Sequence, residues 1–346
     1  MQERAKNWLY GSAALLGLIA AVVLLVWRIG SGEVSASTAK ESTAPSNAQP
    51  PVQPLSGPWV VAIQPGHWEI SDLPPELIRL RTNTGAEWGA VREVDVNSSV
   101  VEALKPMLEA KGWTVVIVPA TVPPGLRADA FVAVHADSTT DTSRRGWKLS
   151  PPWRSSEASR ELAKDLSLSF NSEKNLVEDT DGVTVNMRGY FAFNNRRFYH
   201  AISPYTPAVI IELGFLSNQT DRALLTGDPK YWAGIIARGL ETYFKGRDRA
   251  KVSDLQPLEL GWMAVGPGGA PVRIAPRGDA EKRWSLEAGT TVMPVDVSGD
   301  WYEVFMRRPF TTGWVLKSDL VAAQDPRWLM PGEQRPEGDR GEIRRQ

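Results

Sequence analysis

The sequence predicts an α/β domain built on a mostly parallel sheet flanked by helices, followed by a small all-β barrel and preceded by a transmembrane helix. Three observations carry that expectation. Short apolar runs alternate with helical stripes between residues 58 and 248, turn-punctuated alternating strands recur from about Leu258 to Val321, and a charge-free apolar run fills Trp8 to Trp27. At 346 residues, 42% hydrophobic and 23% charged, the chain can bury a real core and has length for about two domains.

Residues 1–29 read as a membrane anchor. Arg4 and Lys6 precede the apolar run, with Glu3 as the only acid, which places the amino terminus in the cytoplasm and everything downstream outside it. A cleaved signal peptide, with Val34-Ser35-Ala36 as a weak cleavage site, is the competing reading. Residues 30–57 are rich in Ser, Ala, Thr, Pro and Gln without apolar periodicity, the composition of a flexible tether.

The α/β domain, residues 58–248, opens with the strand Trp59-Val60-Val61-Ala62-Ile63. Val96, Val100, Val101, Leu104, Met107 and Leu108 then recur at helical spacing, and Gly112 stops that helix before the strand Thr114 to Val118. Ala130 to Val134 makes another strand. Ala158, Leu162, Leu166 and Phe170 form a second helical stripe, and Tyr231, Ile235, Ile236, Leu240, Tyr243 and Phe244 a third. Residues 256–322 form the predicted barrel, and the Arg-, Glu-, Gly- and Pro-rich residues 323–346 a disordered tail.

With 39 basic against 40 acidic residues, no long-range field favours nucleic acid, and with no cysteine any metal falls to histidine, carboxylate and water. Two of three histidines, His67 and His135, directly follow predicted strands, and Glu212 ends the apolar run Pro207 to Ile211, where burial makes a charge costly. Ligands of parallel sheets gather beyond the carboxyl ends of the strands, so these residues open onto one rim, with Glu93 at the start of the first helix beside them. His, Glu and His leave a fourth tetrahedral position for water, as in catalytic zinc sites, and Glu212 in an apolar setting suits proton transfer. Each residue alone also has an ordinary reading: His67 as a turn residue, Glu93 as a helix-start carboxylate, His135 as a satisfied core imidazole.

Over residues 59–245 the chain resembles the zinc-dependent N-acetylmuramoyl-L-alanine amidases of the type-three family. Val61 to His67 looks like the opening strand and Gly-His motif, Glu93 to Asn97 like the second-ligand motif, Ala128 to Asp137 like the third, and Pro207 to Asn218 like the block with the catalytic glutamate. The resemblance implies an amidase-like fold, one zinc ion on His67, Glu93 and His135, Glu212 as catalytic acid/base, and hydrolysis of the bond between N-acetylmuramic acid and L-alanine in peptidoglycan. The sequence departs from the family where Gln64 replaces an Asp, Trp68-Glu69 replace two glycines, and Asp137 stands where Asn is usual. Between Thr139 and Pro204 the pattern is unfamiliar. There Arg188 is a candidate for stem-peptide carboxylates and His200 for a rim hydrogen bond, with Trp68 as a third substrate-binding candidate.

The C-terminal segment, with Gly299-Asp300-Trp301 and Gly313-Trp314-Val315, resembles bacterial Src-homology-3-like modules that bind wall peptides. The whole reads as a peptidoglycan hydrolase tethered to the membrane on the wall side, or secreted if the leader is cleaved, open to a protein activator. A zinc exopeptidase and a non-catalytic wall-binding relative are the alternatives.

Overall fold

The computed structural model describes residues 52–307 and 309–324. The expected membrane helix, most of the tether and the tail from residue 325 lie outside the described residues, and among those described no helix is long and apolar enough to cross a membrane.

The first sheet has five strands: β1 (Val60–Pro65), β4 (Thr114–Ile117), β5 (Ala130–Asp137), β6 (Lys148–Ser150) and β7 (Ala208–Phe215), in the order β4-β1-β5-β7-β6. Every pairing is parallel except that of the edge strand β6 on β7, so the expectation of a mostly parallel sheet is met. A short hairpin, β2 (Glu87–Trp88) with β3 (Val91–Arg92), stands apart from it. Central strands β1, β5 and β7 are buried almost from end to end, the mark of a sheet covered on both faces.

The two faces are covered differently. Side chains that alternate along the strands send Val61, Ile63, Val132, Val134, Val209 and Ile211 into one cluster with three helices: α1 (Glu93–Glu109), α2 (Glu157–Asn171) and, further along, a long helix at Pro229–Gly246. Their apolar stripes are those the periodicity predicts. The opposite face, with Ala62, Phe131, Ala133, Ala208 and Ile210, has no long helix on it among the described residues. It is covered by Val118, Val122, Met187, Ala192, Phe193 and Ile202, which belong to connecting segments that include the one-turn helix α3 (Val185–Arg188). The sequence's unfamiliar stretch is therefore, in part, the roof of a sheet face. Two further helices complete the domain, α4 (Gln219–Leu225) and the long helix already described, now α5. Asn218 caps α4 through the amides of Thr220 and Asp221, and Asp228 with Pro229 starts α5.

The second sheet is antiparallel and has seven strands: β8 (Met263–Val265), β9 (Ala270–Arg273), β10 (Lys282–Leu286), β11 (Thr291–Ser298), β12 (Trp301–Met306), β13 (Thr311–Leu316) and β14 (Leu320–Ala322), ordered β10-β9-β13-β12-β11-β8-β14. Val265, Val272, Val292, Val304 and Val315 fill its own core. It belongs to the same compact unit as the first sheet, a unit that begins at Val52. Of residues 52–57, read from sequence as the end of the tether, Val52 is buried with Ala158 and Leu255, Leu55 is half-buried and the other four are exposed.

Candidate metal centre

Three side chains from three elements meet at the carboxyl ends of the parallel strands. Beyond Pro65 at the end of β1, the Gly66 amide donates to the Val134 carbonyl (2.8 Å), and His67 follows with φ of 62°, in the left-handed region that non-glycine residues rarely adopt. Gly66 lies against the His135 ring so closely that a Cβ there would meet Cε1 and Nδ1 at 2.4 Å. Glu93 opens α1, where the positive end of the helix favours a carboxylate. His135 stands near the end of β5.

Glu93 and His135 are buried and His67 half-buried, and one ligand atom from each lies within 4.8 Å of the others. His67 Nε2 is 3.4 Å from Glu93 Oε2, and His135 Nδ1 is 2.9 Å from Glu93 Oε1. Glu93 is fixed by the amides of Ala86 (2.7 Å, to Oε2) and Ala136 (3.2 Å, to Oε1) and by Asn97 Nδ2 (3.3 Å, to Oε1). The loop that supplies Ala86 needs Gly85, whose φ is 90° and whose missing Cβ would stand 2.9 Å from both Glu93 Oε2 and His67 Cδ2.

The electrostatics follow from this crowding. Burial alone would raise the Glu93 pKa, but the hydrogen bonds and charges of His135 and His67 hold its carboxyl well below the usual carboxylate range. For His67, burial opposes the imidazolium and is outweighed by Glu93 and the Asn83 carbonyl, so its pKa is raised. The residues fit a metal ion on a further ground. His67 Nδ1 lies 2.8 Å from the Asn83 carbonyl oxygen, an acceptor only, so Nδ1 carries the proton and the neutral ring turns a lone pair on Nε2 toward the Glu93 carboxylate. That contact is satisfied by a shared cation, a ring proton when no metal is bound or a metal ion in its place, and a nitrogen, oxygen, nitrogen donor set without thiolate suits zinc.

Glu212, on β7, pairs in register with His135 on β5 and with Lys148 on β6. Its Oε2 is sealed from solvent without a hydrogen-bond partner among the described residues. Burial, then the like charges of Glu93 and Asp137, push its carboxyl well above the usual range, while Lys148 pulls the other way. Lys148 itself is buried, bonded to Asp137 Oδ2 (2.6 Å), with its Nζ 4.4 Å from the Phe215 ring centroid. An Asp where the family usually has Asn is thus the partner of a buried lysine.

A profile of the family described as N-acetylmuramoyl-L-alanine amidase matches residues 61–242, just over half of the chain and all four of these residues. The chain belongs to this family. Amidases of this family are hydrolases that act on peptidoglycan. Solved structures to which the chain is similar include CwlD amidase from Clostridioides difficile, determined in complex with the GerS lipoprotein, at 18% identity and a TM-score of 0.39, with 55% of this chain and 100% of that chain covered. AmiC2 of Nostoc punctiforme shows 21% identity and a TM-score of 0.39 over 55% of this chain and 99% of that one. The catalytic domain of CwlV from Bacillus (Paenibacillus) polymyxa var. colistinus shows 20% identity and a TM-score of 0.40 over 55% and 99%. No curated protein sequence matches the chain.

The three substrate candidates differ in their surroundings. The Arg188 guanidinium is bonded to Glu303 on β12 (2.6 Å) and lies 3.9 Å from Asp296 on β11, so it joins the two sheets. His200 Nδ1 lies 2.8 Å from Glu76 Oε1. Trp68 is half-buried beside His67, its backbone carbonyl accepting from the Ala120 amide (3.1 Å). Sequence reasoning did not single out Gln64 and Tyr190 as site residues. The signal for Gln64 was a polar side chain at a core-facing position of an apolar strand, where it is 1% exposed.

Proposed function

We propose that this amidase is a zinc hydrolase that cleaves the amide bond between the lactyl group of N-acetylmuramic acid and L-alanine of the stem peptide. The observation that carries the reading is the convergence of His67, Glu93 and His135 beside a glutamate, Glu212, whose inner oxygen has no partner. His67, Glu93 and His135 would hold one zinc ion, which when bound would supply Lewis acidity toward water and the scissile carbonyl. Glu212 takes the proton of the attacking water as the new C–O bond forms, and delivers it to the alanine nitrogen as the C–N bond breaks. Its raised pKa favours that return. A carboxyl that held its proton weakly would leave the amine without one.

The seven-stranded sheet is the Src-homology-3-like module in this reading, with wall peptide as its ligand, and the Gly-Asp-Trp and Gly-Trp-Val sequences support it. The charge-free run at Trp8 to Trp27 supports tethering to the membrane with the enzyme on the wall side, over the domain limits given above. A protein activator is a further expectation.

The test is release of new L-alanine amino termini from purified peptidoglycan by a fragment spanning residues 52–346, the compact unit and the tail that follows it. Release that a chelator stops, zinc restores and Glu212→Gln abolishes is expected. Release that continues after complete removal of metal overturns the zinc mechanism, and turnover of free peptides only overturns the substrate.

A further inference from the structure

We infer that Tyr190, itself oriented by Gln64, is a positioning residue that locks His135 in the tautomer whose Nδ1, beside Glu93, would be free to bind a metal ion. The inference rests on the zinc reading above and extends it to a network beyond the ligands.

The protons can be traced from one fixed point. Gln64 Nε2 donates to the Pro119 carbonyl (2.7 Å), and that carbonyl accepts only, so the amide orientation is set and Oε1 is the atom that faces Tyr190. The Tyr190 hydroxyl has one proton and gives it to Gln64 Oε1 at 2.9 Å. Its oxygen is then left to accept. The neighbour at 3.2 Å is His135 Nε2, which must therefore carry a proton. A neutral imidazole protonated at Nε2 has its lone pair at Nδ1, and Nδ1 is the atom 2.9 Å from Glu93 Oε1. The chain Pro119, Gln64, Tyr190, His135 thus runs in one direction and ends in a lone pair aimed at a carboxylate. His67 reaches the same state through the Asn83 carbonyl. Metal-ligating imidazoles characteristically donate their outer N–H to such a partner, which fixes ring orientation and raises ligand basicity.

The fold places these groups by alternation. Gln64, His135 and Glu212 have the same parity along β1, β5 and β7 as Ala62, Ala133 and Ile210, and so share the face that lacks long helices. Tyr190 comes from the segment that roofs this face, and packs edge-on against His135 with ring centroids 5.3 Å apart. Thr184 caps α3 just before it, and Arg188 anchors the segment twice, by its carbonyl accepting from the Trp153 amide (3.0 Å) and by its ion pair with Glu303. A ring held at that many points presents its hydroxyl at a defined position.

The experiment measures zinc affinity by chelator competition in the 52–346 fragment and in its Tyr190→Phe and Gln64→Met variants, with cobalt(II) absorption as a second readout. Tyr190→Phe removes one oxygen and is expected to weaken zinc binding by about 10–100-fold, with a shifted cobalt(II) ligand-field spectrum. Gln64→Met frees the tyrosine proton to point at His135, allows the wrong tautomer, and is expected to weaken binding in the same direction. Melting of both variants in chelator shows whether each is folded. Folded Tyr190→Phe protein with wild-type zinc affinity and an unchanged cobalt spectrum overturns the inference, as does tighter binding, which would make the hydroxyl a competitor for His135. Failure of the wild-type fragment to bind zinc overturns the underlying reading instead, so the two failures are distinct.

Discussion

Gly66→Ala tests the geometry of the site with a single methyl group. The added Cβ would stand 2.4 Å from His135 Cε1 and Nδ1 and 2.7 Å from Nε2. Carbon against ring atoms settles at about 3.5 Å, so the ring or the turn must move by about 1 Å. Neither is free to do so cheaply. The Gly66 amide is bonded to Val134 and its carbonyl accepts from Asn97 Nδ2 at 3.3 Å, while His135 is held by Glu93 and Tyr190. Overpacking of this kind costs about 1–3 kcal/mol of stability. The effect on metal binding is larger, since ligand distances tolerate only about 0.2 Å and the displacement is several times that. Zinc affinity is therefore expected to fall by at least about 100-fold, the top of the range for disturbing an outer partner of a ligand. Chelator competition measures it, and thermal melting in excess chelator measures the fold separately. A folded Gly66→Ala protein that binds zinc as the wild type does would show that His135 Nδ1 is not a ligand atom placed as described.

Glu212→Gln is expected to reduce turnover by at least about 100-fold while changing stability in a pH-dependent way. Because the folded-state pKa is raised above the ordinary 4.5, the folded chain keeps a proton that the unfolded chain has lost, so wild-type stability declines as pH rises from about 4.5 toward the folded value. The glutamine variant lacks that decline, and its advantage should grow by up to about 1.4 kcal/mol per pH unit in that window, measured by denaturant unfolding in chelator; parallel stability curves would refute the raised carboxyl pKa. Asp137→Asn removes the charge paired with buried Lys148, leaving Asp179 at 3.5 Å, and is expected to cost about 1–3 kcal/mol in urea unfolding. A double-mutant cycle on Arg188→Ala and Glu303→Ala should show a coupling of about 1–3 kcal/mol, since both side chains are mostly shielded; additivity would mean that this ion pair does not join the sheets energetically.

The parallel sheet and its three long helices were legible because their apolar spacing is regular over long windows: Val96 to Leu108, Ala158 to Phe170 and Tyr231 to Phe244 each lie on the face that packs. His67, His135 and Glu212 were legible for a related reason, since a polar residue that interrupts or follows a buried run stands out, although β5 continues two residues past His135 and β7 three past Glu212. What sequence could not show is set by contacts between distant segments. Tyr190 sits in a stretch without periodicity, and only the fold reveals that this stretch roofs the sheet and carries a hydroxyl to His135. Arg188 illustrates the converse. An arginine among aromatics looks suited to substrate carboxylates, but Glu303, 115 positions along the chain, meets it first. The edge strand β6 escaped notice because three residues carry no pattern, although its Lys148 is among the most buried charged groups of the domain.

The site gathers features that a fold without a function would avoid. His67 and Glu69 both adopt left-handed backbone, with φ of 62° and 55°, at a cost of about 1–3 kcal/mol each. Glu93 is a carboxylate buried against two imidazole rings, and Glu212 has an oxygen with no hydrogen-bond partner among the described residues. These features do not relieve one another within the protein alone. They are held in place by the surrounding structure: strands buried along their length, a helix whose first residue is the ligand, and a roof segment tied at Trp153 and Glu303. In the proposed reading a metal ion would be shared by His67, Glu93 and His135, and the proton of the attacking water would satisfy Glu212. The local strain and the proposed chemistry therefore have one origin, and substitutions that ease the strain, such as Glu212→Gln, gain stability in the same step that removes catalysis.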